Sequence, residues 1–115
     1  MNPIYENQVY LYEGEMPYEE YIIADATSPI PMQNGDVQGM RRVAYRFPNG
    51  YGASVVMGWG AYSTPKRPYE VAPLTPNYGA VFNLFDHDRR DPYGFIDDEE
   101  LYVLLTKILT YQEEK

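Results

Sequence analysis

The chain contains no cysteine, one histidine and one tryptophan in 115 residues. Without thiols there can be no disulfide framework, no thiolate zinc site and no iron–sulfur cluster. A single imidazole, His87, cannot supply the several that zinc or non-haem iron sites use. Bases are also scarce, with 9 Lys and Arg against 17 Asp and Glu and a formal charge of −8. That balance argues against simple binding to a nucleic-acid backbone. No run approaches eighteen apolar residues, and Met1-Asn2-Pro3-Ile4-Tyr5-Glu6 is unlike the n-region of a signal peptide. The expectation is a soluble, cytoplasmic protein with no membrane association and no cofactor.

What is present is apolar and aromatic. At 44% hydrophobic and 16% aromatic, with 13 tyrosines, the chain is too apolar for a disordered acidic tail. Its length suits one small domain with a modest core. Charge is unevenly laid out. Residues 1–38 carry seven acids (Glu6, Glu13, Glu15, Glu19, Glu20, Asp25, Asp36) and no base. Residues 39–90 carry a net +4, with Arg41, Arg42, Arg46, Lys66, Arg67, Arg89 and Arg90 as the bases. Residues 91–115 return to −5. Either the acidic ends fold over the basic middle, or one acidic surface stays open for a basic partner.

Residues 1–26 combine acids with Tyr5, Tyr10, Tyr12, Tyr18 and Tyr21. Pro17 to Ala24 fits one or two helical turns or a strand. Thr27 to Gly39 holds Pro29, Pro31, Gly35 and Gly39 among small polar residues, a linker composition. The expected organisation is therefore an arm and linker over 1–38 and an α+β domain over 39–115.

In that domain Val43, Tyr45 and Phe47 alternate with Ala44 and Arg46, the period of a half-buried strand. Pro48-Asn49-Gly50-Tyr51 predicts a hairpin turn, and Ala53–Met57 the return strand. Tyr69–Ala72 reads as a third strand, stopped by Pro73, and Tyr78–Phe85 as a fourth. Asp86–Gly94 reads as a charged turn. Asp97 as N-cap with Glu100 three residues later predicts a capped helix. Leu101, Leu104, Leu105 and Ile108 form its apolar stripe, and Tyr102 and Val103 point outward or sideways. The predicted fold is a small antiparallel sheet of four or five strands with one C-terminal amphipathic helix packed on a face.

No motif completes a catalytic set. Gly94-Phe95-Ile96-Asp97-Asp98-Glu99-Glu100-Leu101 matches the second half of an EF-hand loop, but Arg89 and Tyr93 then stand at ligand positions. The capping box accounts for the same acids without metal, while Asp86, Asp88 and Asp91 leave an irregular cation loop as the alternative. His87 lies between two aspartates with no serine or cysteine nucleophile motif, so no enzyme is expected. Gly58-Trp59-Gly60 lacks the G-K-[ST] of a phosphate loop. Trp59 reads either as a binding anchor or as a core side chain.

The run Tyr45-Arg46-Phe47-Pro48-Asn49-Gly50-Tyr51-Gly52-Ala53-Ser54-Val55-Val56 resembles small uncharacterised proteins of tailed bacteriophages. Those share a hairpin R-F-x-N-G-Y-G-A-S-V, a strand like Y-E-L-A-V-L and an acidic-capped final helix, here Tyr69–Leu74 and Gly94–Leu101. The resemblance spans residues 43–109, leaves 1–38 unmatched, and meets Pro73 where the pattern has an aliphatic residue. It implies an origin and a shape, not a mechanism. The expected function is a phage-encoded acidic protein that binds and modulates a host or phage protein with a basic surface in the host cytoplasm. Nucleic-acid mimicry of the anti-defence type is one version, an inhibitor whose carboxylates stand in for phosphates. The alternative is a phage structural or assembly accessory protein; an enzyme or calcium module is weaker. The expected partner-binding residues are Tyr12, Glu13, Glu15, Tyr18, Glu19, Glu20, Tyr21 and Trp59, since tyrosine supplies contact area and glutamate steers a basic partner.

Overall fold

A computed structural model describes residues 15–31, 37–58 and 67–112, with side chains 29–31 and 37–38 outside that description. Five strands follow one another as an antiparallel meander: β1 (Ile22–Pro31), β2 (Val37–Arg46), β3 (Gly52–Gly58), β4 (Tyr69–Leu74) and β5 (Tyr93–Ile96). The helix α1 (Asp98–Leu109) closes the chain and lies across β3 and β4.

Register decides which side chains meet. Asp25, Val43, Val55, Val71 and Tyr93 lie side by side across all five strands. Of these, Val43, Val55, Val71 and Tyr93 join Tyr45, Ala53, Met57 and Tyr69 in the face under the helix, where Leu101, Leu104, Leu105 and Ile108 close the core, while Asp25 stays exposed at the sheet edge. The other face carries the small row Ala24, Ala44, Ser54 and Ala72, with Arg42 and Arg46 beside it. The period-two pattern thus puts the bulky apolar residues under the helix, with short side chains and arginines on the opposite face.

Two tyrosine hydroxyls in the core find acceptors, as burial requires. Tyr45 donates to the Pro17 carbonyl (2.8 Å) and Tyr69 to Asp98 Oδ1 (2.7 Å). Burial raises the pKa of Tyr45, keeping its phenol protonated. In the β2–β3 hairpin the positive φ falls on Gly50 (90°), and Gly50 N–H donates to the Phe47 carbonyl at 2.9 Å. Asn49 is then available for a different task. Its Nδ2 donates to the carbonyls of Ile108 (2.8 Å) and Tyr111 (3.0 Å), satisfying the C-terminal end of α1. Gly52 is required by contact, because a Cβ there would lie 2.1 Å from the Tyr45 carbonyl oxygen.

Three expectations change. The boundary at residue 38 does not coincide with a break in the structure, because β1 pairs with β2 from Ile22↔Tyr45 to Pro31↔Val37. Before β1, Met16 is buried in the core, and a 3-10 turn (Glu19–Tyr21) brings Tyr18 and Tyr21 against Phe47. Of the residues read as a linker, Thr27 to Pro31 belong to the edge strand β1, where prolines are tolerated because one side of the backbone has no strand to bond, and Val37 to Gly39 open β2. The expected strand over 78–85 is a series of turns with one bridge, Leu74↔Ala80. The fifth strand is Tyr93–Ile96, inside what reads as turn and half EF-hand.

Candidate functional site

The outward side of α1 is less polar than a solvated helix face needs to be. Tyr102 and Val103 are 53% and 52% exposed, next to each other in the middle of the helix. One turn earlier stand Asp98 and Glu99, both exposed. On the same side, the Tyr18 ring stacks on Tyr102, centroids 5.3 Å apart and planes within 7°. Tyr18 is fixed from several directions. Its hydroxyl meets Thr106 Oγ1 at 2.7 Å, and Thr106 in turn donates to the Tyr102 carbonyl, so Tyr18 is the donor. Its ring also meets Tyr21 and Phe47.

Tyr18 holds this position with φ 53°, in the left-handed region that costs a side-chain-bearing residue about 1–2 kcal/mol. Ring contacts offset that cost. Such local strain, over-determined by its surroundings, is characteristic of surfaces organised before they are used. Glu19 and Glu20 follow immediately and are exposed. The result is an aromatic–aliphatic patch, Tyr18, Tyr102 and Val103, rimmed by Glu19, Glu20, Asp98 and Glu99.

Charge pairing leaves this rim largely unneutralised. Among the described residues the ion pairs are Arg41–Asp25, Arg67–Asp97 and Arg67–Glu100. Arg67 also donates to the Phe95 carbonyl at 2.6 Å, tying the start of α1 to β5. Asp97 and Glu100 complete the predicted capping box, through Glu100 N–H to Asp97 Oδ1 (2.8 Å) and Asp97 N–H to Glu100 Oε1 (3.2 Å). Glu15, Glu19, Glu20 and Glu99 have no basic partner among the described residues. Among the described residues, the basic middle therefore covers Asp25, Asp97 and Glu100, and not the acids around Tyr18.

Among the described residues Arg41 is the one buried charge, and its guanidinium grips Asp25 twice, Nε to Oδ1 (2.8 Å) and Nη2 to Oδ2 (2.7 Å). The hydrogen bond from Arg41 holds the Asp25 carboxyl below the usual carboxylate range. That pair fastens β1 to β2, a structural role. The acids 86–91 are exposed, and Asp86 Oδ1 accepts from Asp88 N–H at 3.2 Å, an ordinary turn contact. Among the described residues no three His, Cys, Asp or Glu side chains gather into a metal-binding set. His87 is exposed in the same turn.

Of the expected contact residues, Tyr12, Glu13 and Trp59 lie outside the described residues. Glu15, Glu19 and Glu20 are exposed, while Tyr18 and Tyr21 are half-buried against the core and are only partly available for contact. The expected arm surface is thereby joined to α1, whose Asp98, Glu99, Tyr102 and Val103 did not enter it. The signal for the last two was present in the sequence: they fall off the apolar stripe of the helix yet are themselves apolar. The contact of Tyr102 with Tyr18 had no local signal, since the two residues are 84 apart.

No protein-family model, no curated protein and no solved structure matches this chain. No helix among the described residues is long and apolar enough to cross a membrane.

Proposed function

We propose that this is an interaction protein that docks a basic surface of another protein through the patch of Tyr18, Tyr102 and Val103. The observation that carries this is the Tyr18–Tyr102 stack, rigidly held on a helix and ringed by carboxylates that lack basic partners among the described residues. Large, pre-ordered aromatic side chains give contact area at low entropic cost. The surrounding carboxylates steer a basic partner and raise its association rate. The resemblance to tailed-phage proteins makes a host or phage protein the partner class, modulated by occupation rather than by catalysis. In its mimicry version the rim stands in for phosphates in the basic groove of a nuclease, and competition with DNA falls steeply with salt.

The test is a photo-crosslinking amino acid placed at position 102 and, separately, at position 72 on the opposite face. A discrete heterologous adduct from 102 and none from 72 supports the reading. The reverse pattern overturns it.

A further inference from the structure

Beside Val103, the outer flank of α1 and strand β5 enclose a groove of about 330 Å³. Tyr93, Ile96, Val103 and Leu104 supply its apolar surfaces. Its two ends differ in charge, because Glu99 and Glu100 stand one turn before Val103 and Lys107 one turn after. Lys107 lines that end of the groove, with its ammonium also 4.9 Å from the centroid of the Phe85 ring. The acidic end sits in the first helical turn, where Asp97, Asp98, Glu99 and Glu100 together outnumber the one guanidinium, Arg67, that reaches them. Arg67 shows that a cation is accommodated there, and Glu99 has no basic partner among the described residues. The Arg89 guanidinium lies over the Tyr93 ring, 3.8 Å from its centroid, a contact that steadies this wall.

We propose that this groove receives one leucine- or phenylalanine-sized side chain from a segment of the partner protein, with an adjacent lysine or arginine paired to Glu99. The proposal rests on the protein-docking reading above and adds an anchor to it. The volume is at the lower bound for a ligand site and leaves room for one large side chain. A buried apolar anchor with a charged neighbour is the arrangement in which interface energy concentrates.

The experiment titrates the isotopically labelled full chain with a capped peptide bearing one phenylalanine between lysines, read by amide chemical shifts. Matched peptides replace phenylalanine by serine, or the lysines by glutamates. Shifts are expected at Ile96, Val103 and Leu104 with the first peptide, and binding about tenfold or more weaker without the phenylalanine. Val103→Arg, at a half-exposed helix position that tolerates it, should abolish those shifts, and Glu99→Gln should weaken them. Equal binding of the serine peptide, or silence throughout, overturns the groove proposal. Shifts confined to Tyr18, Glu19 and Tyr102 also overturn it but leave the docking face standing. Shifts confined to the Arg42 and Ala44 face overturn both.

Discussion

Asp25 and Arg41 show how one pair of residues can decide where the folded unit begins. Arg41 is buried and opposes Thr27 across the ladder, so its charge is met diagonally, by Asp25. Asp25→Asn keeps the shape but removes the charge that compensates a buried guanidinium, and should cost roughly 1–3 kcal/mol in denaturant unfolding. The sign of its pH dependence follows from the direction of the shift. Folded Asp25 titrates below its unfolded value of about 3.9, so the unfolded chain takes up the proton first as pH falls. The contribution is complete above about pH 4 and is lost as pH drops through the lower, folded value. Stability of the wild type should therefore fall more steeply below about pH 4 than that of Asp25→Asn. Parallel curves would show that the pair does not carry the effect. Asn49 is the second residue of this kind. Asn49→Ala removes both donors to the end of α1 and should cost about 1 kcal/mol with the sheet unchanged.

At the scale of elements, legibility tracked how local the causes were. The hairpin, β3, β4 and the capped helix each carry their own signal: alternation, Asn-Gly, capping box, apolar stripe. Leu105, fully buried under that stripe, should cost about 2–5 kcal/mol as Leu105→Ala. The same cap accounts for the acids that imitate half a calcium loop: Asp97 and Glu100 bond to each other's backbone, and Asp98 accepts from Tyr69. Excess EDTA should accordingly leave the melting temperature unchanged, and a fall of several degrees would show that the turn over 86–91 holds a cation. β1 and β5 were not legible for opposite reasons. β1 contains Pro29 and Pro31 and polar residues on its core-side face, because it lies at an edge beyond the reach of the helix. β5 is short and bulged between its pairings with Tyr69 and Val71, so it never shows a run of alternation. Deleting residues 1–26 removes Met16, Tyr18, Tyr21 and half of β1 with Asp25. The truncated chain should lose its cooperative thermal transition; a sharp, unshifted melt would show that the arm is dispensable after all.

For the whole molecule, the distribution of charge matters more than its total. Arg41 and Arg67 fasten β1 and the start of α1, and among the acids they do not reach, Glu19, Glu20, Asp98 and Glu99 flank one aromatic patch. Half of that patch was readable, since Tyr18, Glu19 and Glu20 stand together in the sequence, while Tyr102 and Val103 join it only through the fold. Exposed ion pairs are worth only about 0–1 kcal/mol each, so no single rim carboxylate should dominate partner binding. The most direct measurement is crosslinking from position 102 in the wild type and in a chain carrying Glu19→Lys, Glu20→Lys and Glu99→Lys together. The expected result is one discrete adduct in the wild type, weakened by added salt and lost in the triple variant while the thermal melt is retained. An adduct that persists undiminished in the triple variant, or that forms from position 72 instead, would contradict the account.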